Sequence, residues 1–206
     1  MRATPALDVY VLTSAGLVSG RTHREVALAA MEGGARAVQL RAPELTDPEL
    51  LTLATELAGE ARNYGVLFVV NDRIGVALES AAGGAHVGQS DDPLTARERL
   101  GETAILGISV DSPAQAREAE AAGADYLAVT VWATRTKPGA QPHGLDGLRA
   151  VASATTLPVV GIGGIDATSA PAVIAAGAAG VAVVSVVGAA ADPVAATREL
   201  VEAVRR

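Results

Sequence analysis

AAGADYLAV, Ala121 to Val129, closes a helical run in alanine, turns at Gly123 and enters an apolar stretch. The same order recurs in EGGARAVQL (Glu32 to Leu40), AAGGAHVGQ (Ala81 to Gln89) and AAGAAGVAVVS (Ala175 to Ser185). Glycine at such a junction suits the left-handed residue that ends a helix. Gly34, Gly84, Gly123 and Gly177 lie 50, 39 and 54 residues apart. A βαβ unit needs roughly 30 residues, so each interval has room for another strand. Those strands are DVYVL (Asp8 to Leu12), VLFVVND (Val66 to Asp72), AILGIS (Ala104 to Ser109) and LPVVGIGG (Leu157 to Gly164). Interleaving gives eight strands. Helical patterns follow them at 22–33, 47–63, 73–82, 94–100, 112–122, 144–153, 168–176 and 192–205. Strict alternation predicts an α/β fold, a (β/α)8 TIM barrel, with residues 1–206 as a single domain.

The composition agrees. Half of the 206 residues are hydrophobic and only 2% are aromatic, so the core must be built from Ala, Val, Leu and Ile. A formal charge of −7 argues against a nucleic-acid partner, which would need clustered Lys and Arg. With no cysteine, disulfides, thiolate catalysis and cysteine zinc sites are excluded. MRATPALDVYVL at the start has no apolar stretch suited to a signal peptide or a membrane span. The expectation is a cytoplasmic protein with no membrane partner.

In a barrel of this kind the chemistry gathers at strand C-termini, and polar residues fall there. Strand two ends VQLRA, placing Gln39 and Arg41 on one face at a two-residue spacing. Strand three delivers Asn71 and Asp72, and GQSDD after strand four supplies Asp91 and Asp92. GISVD ends strand five with Ser109 and Asp111, and VWATRTKPG after strand six carries Thr134, Thr136 and Lys137. The opposite junctions are mostly Ala and Gly.

GIGGID, followed about 20 residues later by GVAVVS, matches the phosphate site that barrels form after strands seven and eight. Gly163 and Gly164 let backbone amides approach an anion, and Ser185 adds a hydroxyl; the plainer reading is a tight turn. Asp72 and Asp91, at the tips of adjacent strands, suit Mg²⁺, which leans on substrate phosphates. The alternative is that each caps the next helix. Arg41 and Lys137 are read as phosphate contacts, whereas Arg73 and Arg135 are read as pointing outward. His23, His86 and His143 show no metal-ligand spacing, and no nucleophile–His–acid set is evident; His86 reads as a satisfied barrel residue. Trp132 either walls a ring-shaped substrate or covers the barrel mouth.

Taken in order, YVLT, VQLR, VNDR, HVGQSD, GIS, GADY, TRTK, GIGGI and GVAVVS make the chain resemble the thiamine-phosphate synthase family over nearly its whole length. The resemblance implies a transferase of thiamine biosynthesis. It would join hydroxymethylpyrimidine diphosphate to hydroxyethylthiazole phosphate, release pyrophosphate with Mg²⁺ assistance by dissociation, and form thiamine phosphate, and the resemblance alone suggests a homodimer. It further implies that Asp72 and Asp91 hold Mg²⁺. Gln39, Arg41, Asn71, Ser109 and Lys137 would contact the pyrimidine diphosphate, with Arg41, Ser109 and Lys137 the catalytic set. Thr134, Thr136, Gly163, Gly164 and Ser185 would place the thiazole phosphate.

Three changes depart from the family pattern. Ala42 and Pro43 stand where an acidic residue and a diphosphate-binding lysine are usual. Asp111 replaces a histidine, and VTVWAT lacks the usual Gly-Pro and is one residue shorter. A thiazole tautomerase-like isomerase is the nearest alternative, but that family relies on a histidine at Asp111 and lacks the aspartate that Asp91 supplies. A non-catalytic paralogue that binds a phosphorylated ligand is the other.

Overall fold

The computed structural model describes residues 4–14, 20–88, 91–134 and 139–205. Eight parallel strands pair in sequence order and close on themselves, β8 against β1. They are β1 (Val9–Leu12), β2 (Ala37–Leu40), β3 (Leu67–Asn71), β4 (Gly84–Val87), β5 (Ile105–Ser109), β6 (Tyr126–Thr130), β7 (Val159–Ile162) and β8 (Gly180–Val183). The helices are α1 (His23–Glu32), α2 (Asp47–Tyr64), α3 (Ile74–Glu79), α4 (Pro93–Leu100), α5 (Pro113–Ala121), α6 (Gly144–Ala152), α7 (Ala170–Ala175), α8 (Ser185–Gly188) and α9 (Pro193–Ala203). This is the (β/α)8 barrel read from the sequence. The element not foreseen is α8, a single turn inserted directly after β8.

Local chemistry sets the helix starts. Thr22 and Glu25 form a reciprocal capping box on α1, and the Thr46 amide and hydroxyl both donate to Glu49 on α2. Asp92, Ser112 and Asp192 each accept an amide from the third residue beyond them, and proline follows each at a first-turn position.

Two apolar layers result. Val, Leu, Ile and Ala from the outer strand faces pack against the helices. A smaller cluster fills the barrel itself: Leu7, Tyr10, Leu12, Ala37, Val69, Tyr126, Ala128, Val160 and Ala182. A Cβ at Gly107 would lie 2.0 Å from the Tyr126 ring, so that glycine is the space the ring occupies.

The junction glycines behave as expected at three places. Gly34, Gly123 and Gly177 have φ of 93°, 88° and 100°. Gly84 does not: it is the first residue of β4, and a Cβ there would strike the Ile105 carbonyl oxygen at 1.9 Å. The left-handed residue at that junction is Ala81, with φ of 53°.

Candidate active site

A cavity of about 440 Å³ opens at the C-terminal ends of the strands. It is lined by Gln39, Arg41, Asn71, Ser109, Thr134, Gly163, Gly164 and Ser185, all singled out in the sequence. Thr136, Lys137 and Arg135 lie outside the described residues.

One wall is the glycine rim after β7. Gly163 and Gly164 have φ of 98° and 64°, a region open to glycine. Cβ atoms there would meet the Trp132 carbonyl oxygen at 2.4 Å and the Ala133 carbonyl oxygen at 3.2 Å. The glycines therefore let the segment after β6 press against the rim. The tight turn of the plainer reading is present. Ser185 opens α8, the short extra helix that barrels place beside a phosphate site. Trp132 is partly buried against the outer core and its carbonyl braces Gly163, so it covers the rim and is not among the cavity-lining residues.

Asp166, which the sequence reading missed, also lines the cavity. Its carboxylate accepts from the Ser169 and Thr168 amides and the Ser169 hydroxyl, which hold its pKa below the usual value. It is tied to its own turn.

The opposite wall comes from β2 to β5. Asn71 donates to the Asp72 carboxylate at 2.6 Å, and the Asp72 amide donates to the His86 carbonyl at 2.8 Å. Asp72 adopts a left-handed φ of 61°, strain of the sort that gathers at functional sites. The Asp91 carboxylate accepts the Gly88 amide at 2.9 Å, closing a turn. Neither aspartate lines the cavity itself, and no group of three or more His, Asp or Glu among the described residues could cage an ion. Mg²⁺ is usually held through one or two carboxylates and completed by waters and phosphate oxygens, so the lack of a three-carboxylate cage does not count against it.

The departures have structural consequences. Arg73 does not replace the lysine missing at Pro43: its guanidinium donates to the Leu45 carbonyl at 2.6 Å and pairs with Asp47 at 3.0 Å. Asp111 faces His143, whose Nε2 is 3.1 Å from the carboxylate. The charge that replaced a histidine has thus acquired one from the β6–α6 connection.

A second network was not foreseen. His23 is buried, with Nδ1 2.8 Å from the Thr13 hydroxyl and Nε2 2.6 Å from the Glu44 carboxylate. Burial pushes the Glu44 carboxyl up, but the hydrogen bond with His23 leads a set of opposing contacts that leave it below the usual range. A hydroxyl–His–carboxylate order is present after all. Thr13 is wholly buried, however, and also accepts the Arg41 amide at 3.2 Å. The network positions Arg41; it is not a nucleophile set.

Tyr10 and His86 also line the cavity, and Tyr126 lies just beneath. His86 is satisfied, as read: Nδ1 meets the Tyr126 hydroxyl and Nε2 the Ser109 hydroxyl, both at 3.0 Å. The available signal for the tyrosines was alternation, which turns Tyr10 and Tyr126 inward on their strands.

A closed barrel with a cavity of mixed polar and apolar lining over its strand ends, rimmed by two left-handed glycines and a short extra helix, is the arrangement in which barrel enzymes hold phosphorylated small molecules. The chain belongs to the thiamine monophosphate synthase family, whose model matches residues 9–187. It is 47% identical to the thiamine-phosphate synthase of Moorella thermoacetica, over 98% of both chains. It is 48% identical to that of Natronomonas pharaonis, over 98% of this chain and 96% of the relative. The thiamine phosphate pyrophosphorylase structure from Pyrococcus furiosus superposes with a TM-score of 0.90 at 37% identity, covering 98% of this chain and 97% of the other.

Proposed function

We infer that the chain is a thiamine-phosphate synthase: it transfers the hydroxymethylpyrimidine group of its diphosphate to the ring nitrogen of hydroxyethylthiazole phosphate and releases pyrophosphate. The observation that carries this reading is the pairing, in one cavity, of two differently equipped walls. One has the Gly163–Gly164 rim with Ser185. The other has Arg41, Asn71 and Ser109 above the buried Gln39.

In this reading the C–O bond to the diphosphate breaks first and its electron pair leaves with pyrophosphate. The thiazole nitrogen then donates its lone pair to the carbon left behind. A tertiary ring nitrogen needs no general base, which suits a cavity without a nucleophile set among its described residues. Mg²⁺, held by Asp72 and Asp91, would neutralise charge on the diphosphate oxygens. Arg41 and Ser109 bind the same oxygens, with Lys137, and stabilise the charge that grows as the bond breaks. Gln39 Oε1 is buried with no hydrogen-bond partner among the described residues, an acceptor suited to the amino group of the pyrimidine. Thr134 and Thr136 would flank the thiazole, and the glycine rim with Ser185 would hold its phosphate. A homodimer, a cytoplasmic setting and the absence of nucleic-acid or membrane partners belong to the same reading. No helix among the described residues is long and apolar enough to cross a membrane.

The engagement of Arg73 with Leu45 and Asp47 favours one competing reading, a ligand-binding paralogue weakened at the diphosphate. Pyrophosphate release from the two substrates with Mg²⁺ separates the two. The wild type is expected to turn over and Asp72→Ala to lose at least a hundredfold, on the order of 3 kcal/mol of transition-state stabilisation. Absence of turnover with retained binding of thiazole phosphate would overturn the synthase reading. Mg²⁺-dependent activity retained in Asp91→Ala would remove Asp91 from the metal site.

A further inference from the structure

Five polar side chains from five strands meet across the floor of the cavity, four of them lining it and Tyr126 behind them. Gln39 Nε2 donates to the Tyr10 hydroxyl at 2.5 Å. Tyr10 and Tyr126 hydroxyls are 2.8 Å apart. The Tyr126 hydroxyl is 3.0 Å from His86 Nδ1, and His86 Nε2 is 3.0 Å from the Ser109 hydroxyl. The first and last members, Gln39 and Ser109, both face the cavity.

We propose that these residues form a directional hydrogen-bond relay, in which a ligand N–H bound at Gln39 fixes Ser109 as a hydroxyl donor toward the ligand's oxygen at the other end. The claim rests on the synthase reading only for the identity of that ligand.

The direction follows from counting protons. A carboxamide nitrogen only donates, so the Tyr10 oxygen accepts from Gln39 and its own proton goes to Tyr126. Burial pushes both phenol pKa values up, so each phenol keeps its proton. Tyr126 therefore accepts from Tyr10 and donates to His86 Nδ1. A ring nitrogen that accepts carries no hydrogen, so neutral His86 holds its proton on Nε2 and donates it to Ser109. The Ser109 proton is then directed to the cavity. At the other end Gln39 presents Oε1, the buried acceptor without a partner among the described residues.

Turning the Gln39 carboxamide over reverses every bond. His86 would then hold its proton on Nδ1, Ser109 would donate inward, and the cavity would see an amide N–H at Gln39 and only lone pairs at Ser109. The two ends thus change together. A ligand with an N–H for Gln39 and an anionic oxygen for Ser109 selects the first arrangement at both ends, which is a coupling between ring recognition and leaving-group recognition. Tyr10, Tyr126 and His86 are positioning residues in this scheme.

The test reads the histidine ring directly. In protein labelled with nitrogen-15 at histidine and loaded with hydroxymethylpyrimidine diphosphate, thiazole phosphate withheld, long-range proton–nitrogen correlation is expected to show His86 as the Nε2–H tautomer. Tyr126→Phe keeps the ring that fills the Gly107 space but removes the donor to Nδ1. It is expected to abolish the single-tautomer signature and to lower kcat on the order of tenfold, the worth of one hydrogen bond, leaving KM for thiazole phosphate unchanged. Tyr10→Phe keeps the Tyr126–His86 bond but cuts it off from Gln39, so the His86 tautomer should no longer depend on the bound pyrimidine diphosphate. An Nδ1–H tautomer in the loaded wild type, or a Tyr126→Phe protein of unchanged tautomer and kcat, would overturn the relay. A wild type that binds the pyrimidine diphosphate but never turns over sinks the synthase reading instead, while the tautomer still decides the relay.

Discussion

A methyl group at Gly163 would sit 2.4 Å from the Trp132 carbonyl oxygen, on a backbone whose φ is 98°. Gly163→Ala therefore has two faults: left-handed strain of about 1–2 kcal/mol, and displacement of the segment after β6. The expected result is a raised KM for thiazole phosphate with a lower melting temperature, read by steady-state kinetics and calorimetry. An unchanged KM would remove the rim from phosphate binding. Gly163, Gln39 and Asn71 were legible in the sequence, because strand alternation and position at a strand end dictate where they point. Tyr10 and Tyr126 were not legible as partners, since 116 residues separate them and only barrel closure brings their hydroxyls together. The Asp111–His143 pair escaped for the same reason. No local pattern links a strand-five tip to the residue before α6.

At the scale of elements, the helix-to-strand junctions carry a contrast that single substitutions can expose. Gly34, Gly123 and Gly177 take left-handed conformations that glycine adopts without penalty, whereas Ala81 holds φ of 53° with a Cβ in place. Ala81→Gly is expected to stabilise the protein by about 0.5–1 kcal/mol and Gly123→Ala to destabilise it by about 1–2 kcal/mol. Denaturant midpoints of both variants check the pair; a loss of stability in Ala81→Gly would refute the strain argument. The repeated grammar of the junctions made the eight strands readable. It did not reveal that the fourth junction is built differently, because a strand-starting glycine and a helix-ending one look alike in sequence. The single turn of α8 was hidden too, lying between β8 and α9 without a side-chain cap.

A part-buried ion pair joins the loops at the N-terminal ends of β5 and β6, in addition to the apolar layers. Arg97 donates to the Asp125 carboxylate at 2.6 Å and to the Gly101, Gly123 and Ala104 carbonyls, and Asp125 also accepts the Leu106 amide at 2.8 Å. Removing one partner strands the other, so Asp125→Ala is expected to cost about 3–5 kcal/mol in urea unfolding. Acid acts on many sites together. Hydrogen bonds from Thr22, Thr46, Thr95, Thr156 and Ser169 hold the Glu25, Glu49, Asp92, Glu120 and Asp166 carboxyls below their usual pKa values. Their contribution is complete above the unfolded values of 4.5 for Glu and 3.8 for Asp. It disappears as pH falls through the lower folded values. The urea midpoint should therefore hold from pH 7 to about pH 5 and drop below that; a midpoint unchanged at pH 3 would contradict it.

The barrel interior ends, toward the cavity, in Tyr10, Leu12, Ala128 and Ala182, which belong at once to the inner apolar cluster and to the cavity lining, and the two alanines are the small ones. Ligand and side chains therefore compete for one volume. Larger residues at these two positions would complete the barrel's packing by evicting whatever binds above them. The substrate is then the missing top layer of the core, and saturating ligand should raise the melting temperature through the same contacts that a bulkier side chain would make permanent.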